Sequence, residues 1–181
     1  GSNEILTKMK RNYTRETYLE IIAKLHKARP GIKISSDFIV GFPQETHKQF
    51  LETLDLVNEV QFDASYSFIY SARPGTPAAK IEDNISMKEK KERLYELQTL
   101  LDGFQRKYSQ NLEGTVQRCL VTGLSKKDNT RMQGRTECNR VVNFDFQKIE
   151  ILGTLLDIKI NKALAHSLQG HIFAKEHSSL T

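Results

Sequence analysis

The sequence predicts two folds in tandem: an α/β unit built on two parallel strands, then a long helix and a small five-stranded antiparallel β-barrel. Three observations carry this. Residues 32–70 read as strand, capped helix and strand, the pattern of one βαβ unit. Leu94, Leu97, Leu101, Phe104 and Tyr108 recur at helical spacing. After Gly114 the chain breaks into short β-rich pieces separated by Gly, Asn, Asp and Lys, the texture of a closed barrel.

Thr14 offers an N-cap hydroxyl to a first helix over residues 14–28, whose apolar face is Tyr18, Ile22 and Leu25, and Pro30-Gly31 end it. No capped element precedes it. The run Ile32–Val40 becomes continuously apolar at Phe38-Ile39-Val40, as expected of a parallel strand buried on both faces. Thr46 and Gln49 have capping-box spacing, and Phe50, Leu54 and Val57 form the buried stripe of a helix reaching about Val60. Phe62–Tyr70 is the second parallel strand. Pro74, Gly75 and Pro77 make Ser71–Asn84 a fixed loop and linker, and Ser86 with Glu89 caps the long helix. The charged face of that helix, Lys88 to Arg93, reads as solvated surface.

The barrel strands are expected at Thr115–Thr122, Thr130–Thr136, Arg140–Phe144, Ile149–Ile160 and Ala165–Phe173, with the fourth bending at Gly153 to serve two sides. The domains are then 1–84, the α/β part; 85–111, the connecting helix; 112–175, the barrel; and 176–181, a disordered tail. Two parallel strands cannot cover both faces and both edges of a sheet. Residues 1–84 therefore imply either a missing N-terminal part of the same polypeptide or a non-native dimer in which two copies complete each other's sheets.

A chain of 181 residues with 27% charged residues and a net charge of +5 excludes disordered and collagenous classes. No apolar run is long enough to span a bilayer, so no membrane partner is expected. Two cysteines exclude a disulfide scaffold and suit a reducing, cytoplasmic setting. Cys119 and Cys138 lie in no CxxC and have no histidine at ligand spacing, so no metal ligands are assigned. The five histidines form no nucleophile–base–acid pattern, so no catalytic residue is assigned either.

Candidate binding residues come from position. The turn Gly41-Phe42-Pro43 follows a parallel strand and leads into a helix N-terminus, where α/β folds hold ligands. Asp37 is a carboxylate inside the strand, facing the ligand end or an upstream partner. Arg73, fixed by Pro74 at the end of the second strand, suits a carboxylate or phosphate, or pairs with Glu82. Between Gly123 and Arg140, Lys126, Lys127, Arg131, Arg135 and Arg140 outweigh Asp128 and Glu137, so +3 of the net +5 falls on one hairpin. With Asn139 beside them they suggest a nucleic-acid backbone footprint, though stacking aromatics are scarce.

Several blocks also resemble a known family. Lys8-Met9-Lys10-Arg11, Tyr13-Thr14-Arg15, Ser36-Asp37-Phe38-Ile39-Val40-Gly41-Phe42-Pro43 with Glu45-Thr46, and Phe68-Ile69-Tyr70-Ser71 through Arg73-Pro74-Gly75-Thr76-Pro77 resemble the C-terminal part of the radical-SAM barrel of tRNA methylthiotransferases, closest to the MiaB type. Gly134-Arg135-Thr136 and Asn139-Arg140-Val141-Val142 resemble the TRAM domain, a small RNA-binding barrel. The resemblance implies that the two parallel strands are the last two of a six-stranded open barrel. It also implies S-adenosylmethionine and two 4Fe-4S clusters in the complete enzyme, tRNA as partner, and methylthiolation of isopentenyl-adenosine beside the anticodon. Gly41, Phe42, Pro43 and Asp37 would lie near S-adenosylmethionine, and Arg73 near the cofactor or substrate. The hairpin cations and Asn139 would face tRNA. No cluster cysteine is present, so this piece alone would be inactive. The family usually has Gly where this chain has Gln44. Two alternatives remain open: a stand-alone nucleic-acid-binding module, and a methylthiotransferase for threonylcarbamoyl-adenosine or a ribosomal protein.

Overall fold

A computed structural model describes residues 1–126, 128–145 and 151–173. The chain divides into two units, Gly1–Gln105 and Arg106–Thr181. In the first, α1 (Asn3–Lys8) and α2 (Arg15–Ala28) precede β1 (Asp37–Val40), α3 (His47–Val60) and β2 (Tyr66–Ile69). A 3₁₀ turn at Pro77–Lys80 leads to α4 (Met87–Gln110), whose last turn belongs to the second unit. No helix among the described residues is long and apolar enough to cross a membrane.

Local chemistry explains the helix starts. The Thr14 hydroxyl accepts from the Thr17 N–H, and Thr46 and Gln49 form a complete capping box. Ser86 Oγ accepts from the Glu89 N–H at 3.1 Å at the head of α4. Helix α1 escapes sequence reading because it is six residues long, lacks a side-chain cap and buries only Ile5.

β1 and β2 pair in parallel, Asp37 opposite Tyr66 through Val40 opposite Ile69. Both are shorter than expected. Their flanks are held by isolated bonds, Asp63 N–H to Ile34 O at 2.7 Å and Tyr66 N–H to Ser36 O at 3.1 Å, rather than by a continued ladder. Nor is β1 buried on both faces. Phe38 and Val40 enter a core with Phe50, Val57, Phe62, Leu97 and Leu101, and the Phe38 and Phe62 rings meet edge to face at 5.1 Å. Each such ring or branched side chain contributes roughly 1.5–3 kcal/mol on burial. Alternation sends Asp37 and Ile39 to the other face, where Met9 and Arg11 line cavities with them, and Asp37 is exposed at the start of its strand.

The charged face of α4 is not merely solvated. Lys90 and Arg93 are buried, because they continue the Leu97–Leu101 stripe backwards at helical spacing, and each meets an acid on another segment: Lys90 pairs with Asp83, and Arg93 with Glu45.

In the second unit β3 (Val116–Leu124), β4 (Arg131–Thr136), β5 (Val141–Asp145), β6 (Leu155–Ala163) and β7 (Leu168–Ile172) close a barrel in the order β3-β4-β5-β7-β6. Four pairings are antiparallel, and β5–β7 is parallel because β6 intervenes and reverses the chain. Cys119, Val121, Met132, Val142, Phe144, Ile158, Ile160 and Leu168 fill the interior. The fourth strand does not bend at Gly153. That glycine (φ +79°) sits in a turn tied to Val121 by N–H···O bonds of 3.0 and 2.9 Å from Gly153 and to Thr154, and the strand starts two residues later. The expected strand start at Ile149 and the expected tail at 176–181 lie outside the described residues.

Candidate substrate cleft and nucleic-acid face

The face of β1–β2 turned away from the core is the first candidate site. Tyr66 and Phe68 are 70% and 54% exposed there, unusual for rings on a sheet between helices. Next to them a cleft of about 670 Å³ is lined by Ile39, Phe42, Phe68, Tyr70, Arg73 and the segment Lys8–Arg11. Tyr70 packs on Phe42 at 4.9 Å, 66° between planes, which fixes that wall. Arg73 is exposed, and its guanidinium pairs neither with Glu82 nor with any other described residue. Its carbonyl accepts from the Thr76 N–H and hydroxyl at 3.2 and 2.8 Å, so the loop carrying it is a closed turn. An aromatic floor with Arg73, Lys10 and Arg11 around it can stack a planar base and hold an anion. Asp37 lines a separate cavity of about 110 Å³ near Tyr13, Tyr18 and Phe62, away from Arg73.

The Gly41 turn is locked rather than open. Gly41 (φ +70°) donates its N–H to Glu45 Oε2 at 2.8 Å, and a Cβ there would lie 2.7 Å from Lys90 Cγ, so the missing side chain makes room for α4. Glu45 Oε2 also accepts from Arg93 Nη1 at 2.8 Å, Arg93 Nη1 reaches the Glu45 carbonyl at 2.9 Å, and these side chains are 2% and 5% exposed. Arg93 lies 5.7 Å from the Phe50 ring centroid. Of the turn residues named from sequence, Gly41 and Pro43 are buried in this lock and Phe42 turns its ring to the cleft. Glu45, Lys90 and Arg93 were missed, although extending the leucine stripe of α4 by one further turn would have reached both cations. Gln44 has φ +66°, a left-handed conformation that favours glycine.

On the barrel, the cations named from sequence are not alike. Lys126 is exposed, and Lys127 lies outside the described residues. Arg131 Nε is 2.7 Å from Asp145 Oδ1 and 3.8 Å from Asp128 Oδ2, so its charge is offset. Arg135 Nη1 donates to the Asn139 carbonyl and Oδ1 at 3.1 and 2.9 Å, which ties both to one turn in which Asn139 has φ +64°. Arg140 donates to Ser109 Oγ at 3.0 Å.

The cysteines do not suit an iron–sulfur cluster. Cys119 is fully buried in the barrel, where burial pushes its thiol up to about 11. The Cys138 sulfur lies 3.2 Å from both Thr136 Oγ1 and Arg140 Nη1. Among the described residues no group of three or more His, Cys, Asp or Glu side chains is arranged to hold a metal ion.

Comparison with known proteins agrees with this division. A family model described as the radical SAM superfamily matches residues 1–57, and one described as the TRAM domain matches residues 110–173. Curated relatives share about half their residues with this chain over most of its length. The tRNA-2-methylthio-N(6)-dimethylallyladenosine synthase of Hahella chejuensis is 52% identical over 94% of this chain and 38% of its own length. The synthases of the same name from Legionella pneumophila strain Corby and Vibrio cholerae are 51% and 52% identical, each over 97% of this chain. The chain matches a segment of the tRNA methylthiotransferases. It spans less than two-fifths of the length of these relatives. Its first unit is part of a radical-SAM fold, in keeping with a parallel sheet of only two strands among the described residues, and its second unit is a TRAM barrel.

Proposed function

We propose that this chain supplies one wall of the active site and the tRNA grip of a methylthiotransferase that acts on isopentenyl-adenosine beside the anticodon. The observation that carries the reading is the aromatic face of β1–β2, with Tyr66 and Phe68 exposed on it and Arg73 lining the same cleft as Phe68, in a chain about half identical to synthases of that name. Ile39, Phe42 and Phe68 fit the apolar and planar parts of S-adenosylmethionine or of a modified adenosine, and Arg73 fits a carboxylate or phosphate. When bound in the complete enzyme, a 4Fe-4S cluster with S-adenosylmethionine supplies the radical that activates the substrate carbon. The residues of this chain bind and orient; they do not suit the clusters, whose ligands belong to another part of the polypeptide. Action on tRNA goes with a cytoplasmic setting.

The test uses the full-length protein in a strain lacking it, with tRNA nucleosides read by mass spectrometry. Phe68→Ala and Arg73→Ala should each lower the methylthiolated nucleoside at least tenfold while unthiolated isopentenyl-adenosine accumulates. Unchanged yields would remove the cleft from the active site. Accumulation of threonylcarbamoyl-adenosine instead would move the chain to that branch of the family.

A further inference from the structure

Of the cations that sequence assigned to RNA, Arg131 is offset by Asp145, and Arg135 and Arg140 hydrogen-bond Asn139 and Ser109, yet the barrel carries another polar row. Gln133 on β4 stands opposite Asn143 on β5, Asn143 opposite Gln169 on β7, and Gln169 opposite Lys162 on β6. Their strand neighbours Met132, Val142, Phe144 and Leu168 point into the core, so alternation sends these side chains outward. All three amides are half-buried, and none makes a side-chain hydrogen bond to a described residue. Asn in the middle of a strand costs β-propensity, and here no internal bond offsets it.

We propose that this row, Gln133, Asn143, Gln169 and Lys162, is the surface on which the barrel reads RNA, an inference that rests on the tRNA-binding reading above. An amide both donates and accepts, and so can pair with base edges or with a 2′-hydroxyl, which a cation alone cannot do. Strands lie about 4.8 Å apart, so Gln133 to Gln169 spans roughly 10 Å, the length of a short run of stacked nucleotides at about 3.4 Å each. Charge favours a polyanion. Lys162 and Lys159 on β6 form no ion pair among the described residues, Asp145 is offset by Arg131, and Asp157 is in register with Arg118.

The experiment measures binding of the 181-residue chain to a tRNA transcript at several salt concentrations. Salt-dependent binding by the wild type is the premise, and its absence sinks the tRNA reading itself. Given that binding, Gln133→Ala/Asn143→Ala/Gln169→Ala should weaken it at least tenfold at every salt concentration with the salt slope unchanged, while Lys162→Ala should lower the slope by about one charge. Thermal unfolding should be nearly unaffected, since no internal bond is lost. Should the triple alanine variant unfold, the shape-preserving Gln133→Glu/Gln169→Glu variant replaces it, with loss of binding again expected. Wild-type affinity in a folded variant would overturn the proposal and leave the row to a protein partner.

Discussion

Removing Arg93 should cost the first unit far more than a surface arginine would. Arg93→Ala leaves the Glu45 carboxylate buried with the Gly41 N–H as its remaining donor among the described residues, strips the Glu45 carbonyl of its donor, and removes the cation over Phe50. An exposed ion pair is worth about 0–1 kcal/mol, whereas breaking a buried one by deleting a single partner costs about 3–5 kcal/mol. The fractional exposures of 5% and 2% put this pair in the second class. With a urea dependence of about 1–3 kcal/mol per molar, the midpoint of the helix-rich unit should fall by about 2 M, read by circular dichroism at a helix wavelength. Glu45→Gln should also destabilise. Combining Arg93→Met with Glu45→Gln should recover part of the loss, since no bare charge then stays buried. A loss under about 1 kcal/mol for Arg93→Ala, or strict additivity in the double variant, would refute the lock.

Three further outcomes are expected. Gln44→Gly should be neutral to stabilising by up to about 1 kcal/mol, because relief of a left-handed φ outweighs glycine's added chain entropy; a clear loss in thermal unfolding would contradict this. A thiol reagent at pH 8 should label Cys138 in the folded chain and Cys119 only on unfolding, because Cys119 is sealed and its thiol lies near 11; two fast thiols would contradict it. Lys90, hydrogen-bonded to Asp83, holds that carboxyl below its ordinary value of 3.8, so its stabilisation is present above about pH 3.8 and lost as pH falls through the lower, folded value. Asp83→Asn should therefore cost stability at pH 7 and little at pH 2, and a pH-independent difference would exclude the linkage.

Much of the architecture was legible because it is written in local chemistry. Thr14, Thr46 with Gln49, and Ser86 mark three helix starts, and the alternation around Val142-Asn143-Phe144 marks a strand with one face in a core. What stayed hidden depends on partners remote in sequence. The acid that buries Arg93 is 48 residues away, so a run of charges on α4 looked like solvated surface. Arg131 and Arg135 looked free for a ligand until register set Arg131 opposite Asp145 and a turn brought Asn139 to Arg135. The cleft was half legible: Arg73 and Phe42 were named, whereas Tyr66 and Phe68 were read as strand members because burial, not residue type, singles them out.

The parallel β5–β7 seam gives the barrel a distinct order of assembly. Val142 must find Leu168 across the intervening β6, whereas β4 meets β5 through a turn of four residues. Because the entropy of closing a segment is spent before its contacts form, the hairpins come before the two long-range pairings, and of these the seam is the shorter ladder, Val142–Phe144 on Leu168–Gly170 against Val116–Leu120 on Leu155–Lys159. Opened at that seam, the unit is a curved meander β5-β4-β3-β6-β7 with every neighbour antiparallel. Hydrogen exchange should find the amides bonded across this shorter seam opening ahead of those between β3 and β6, so the barrel unzips along one defined line.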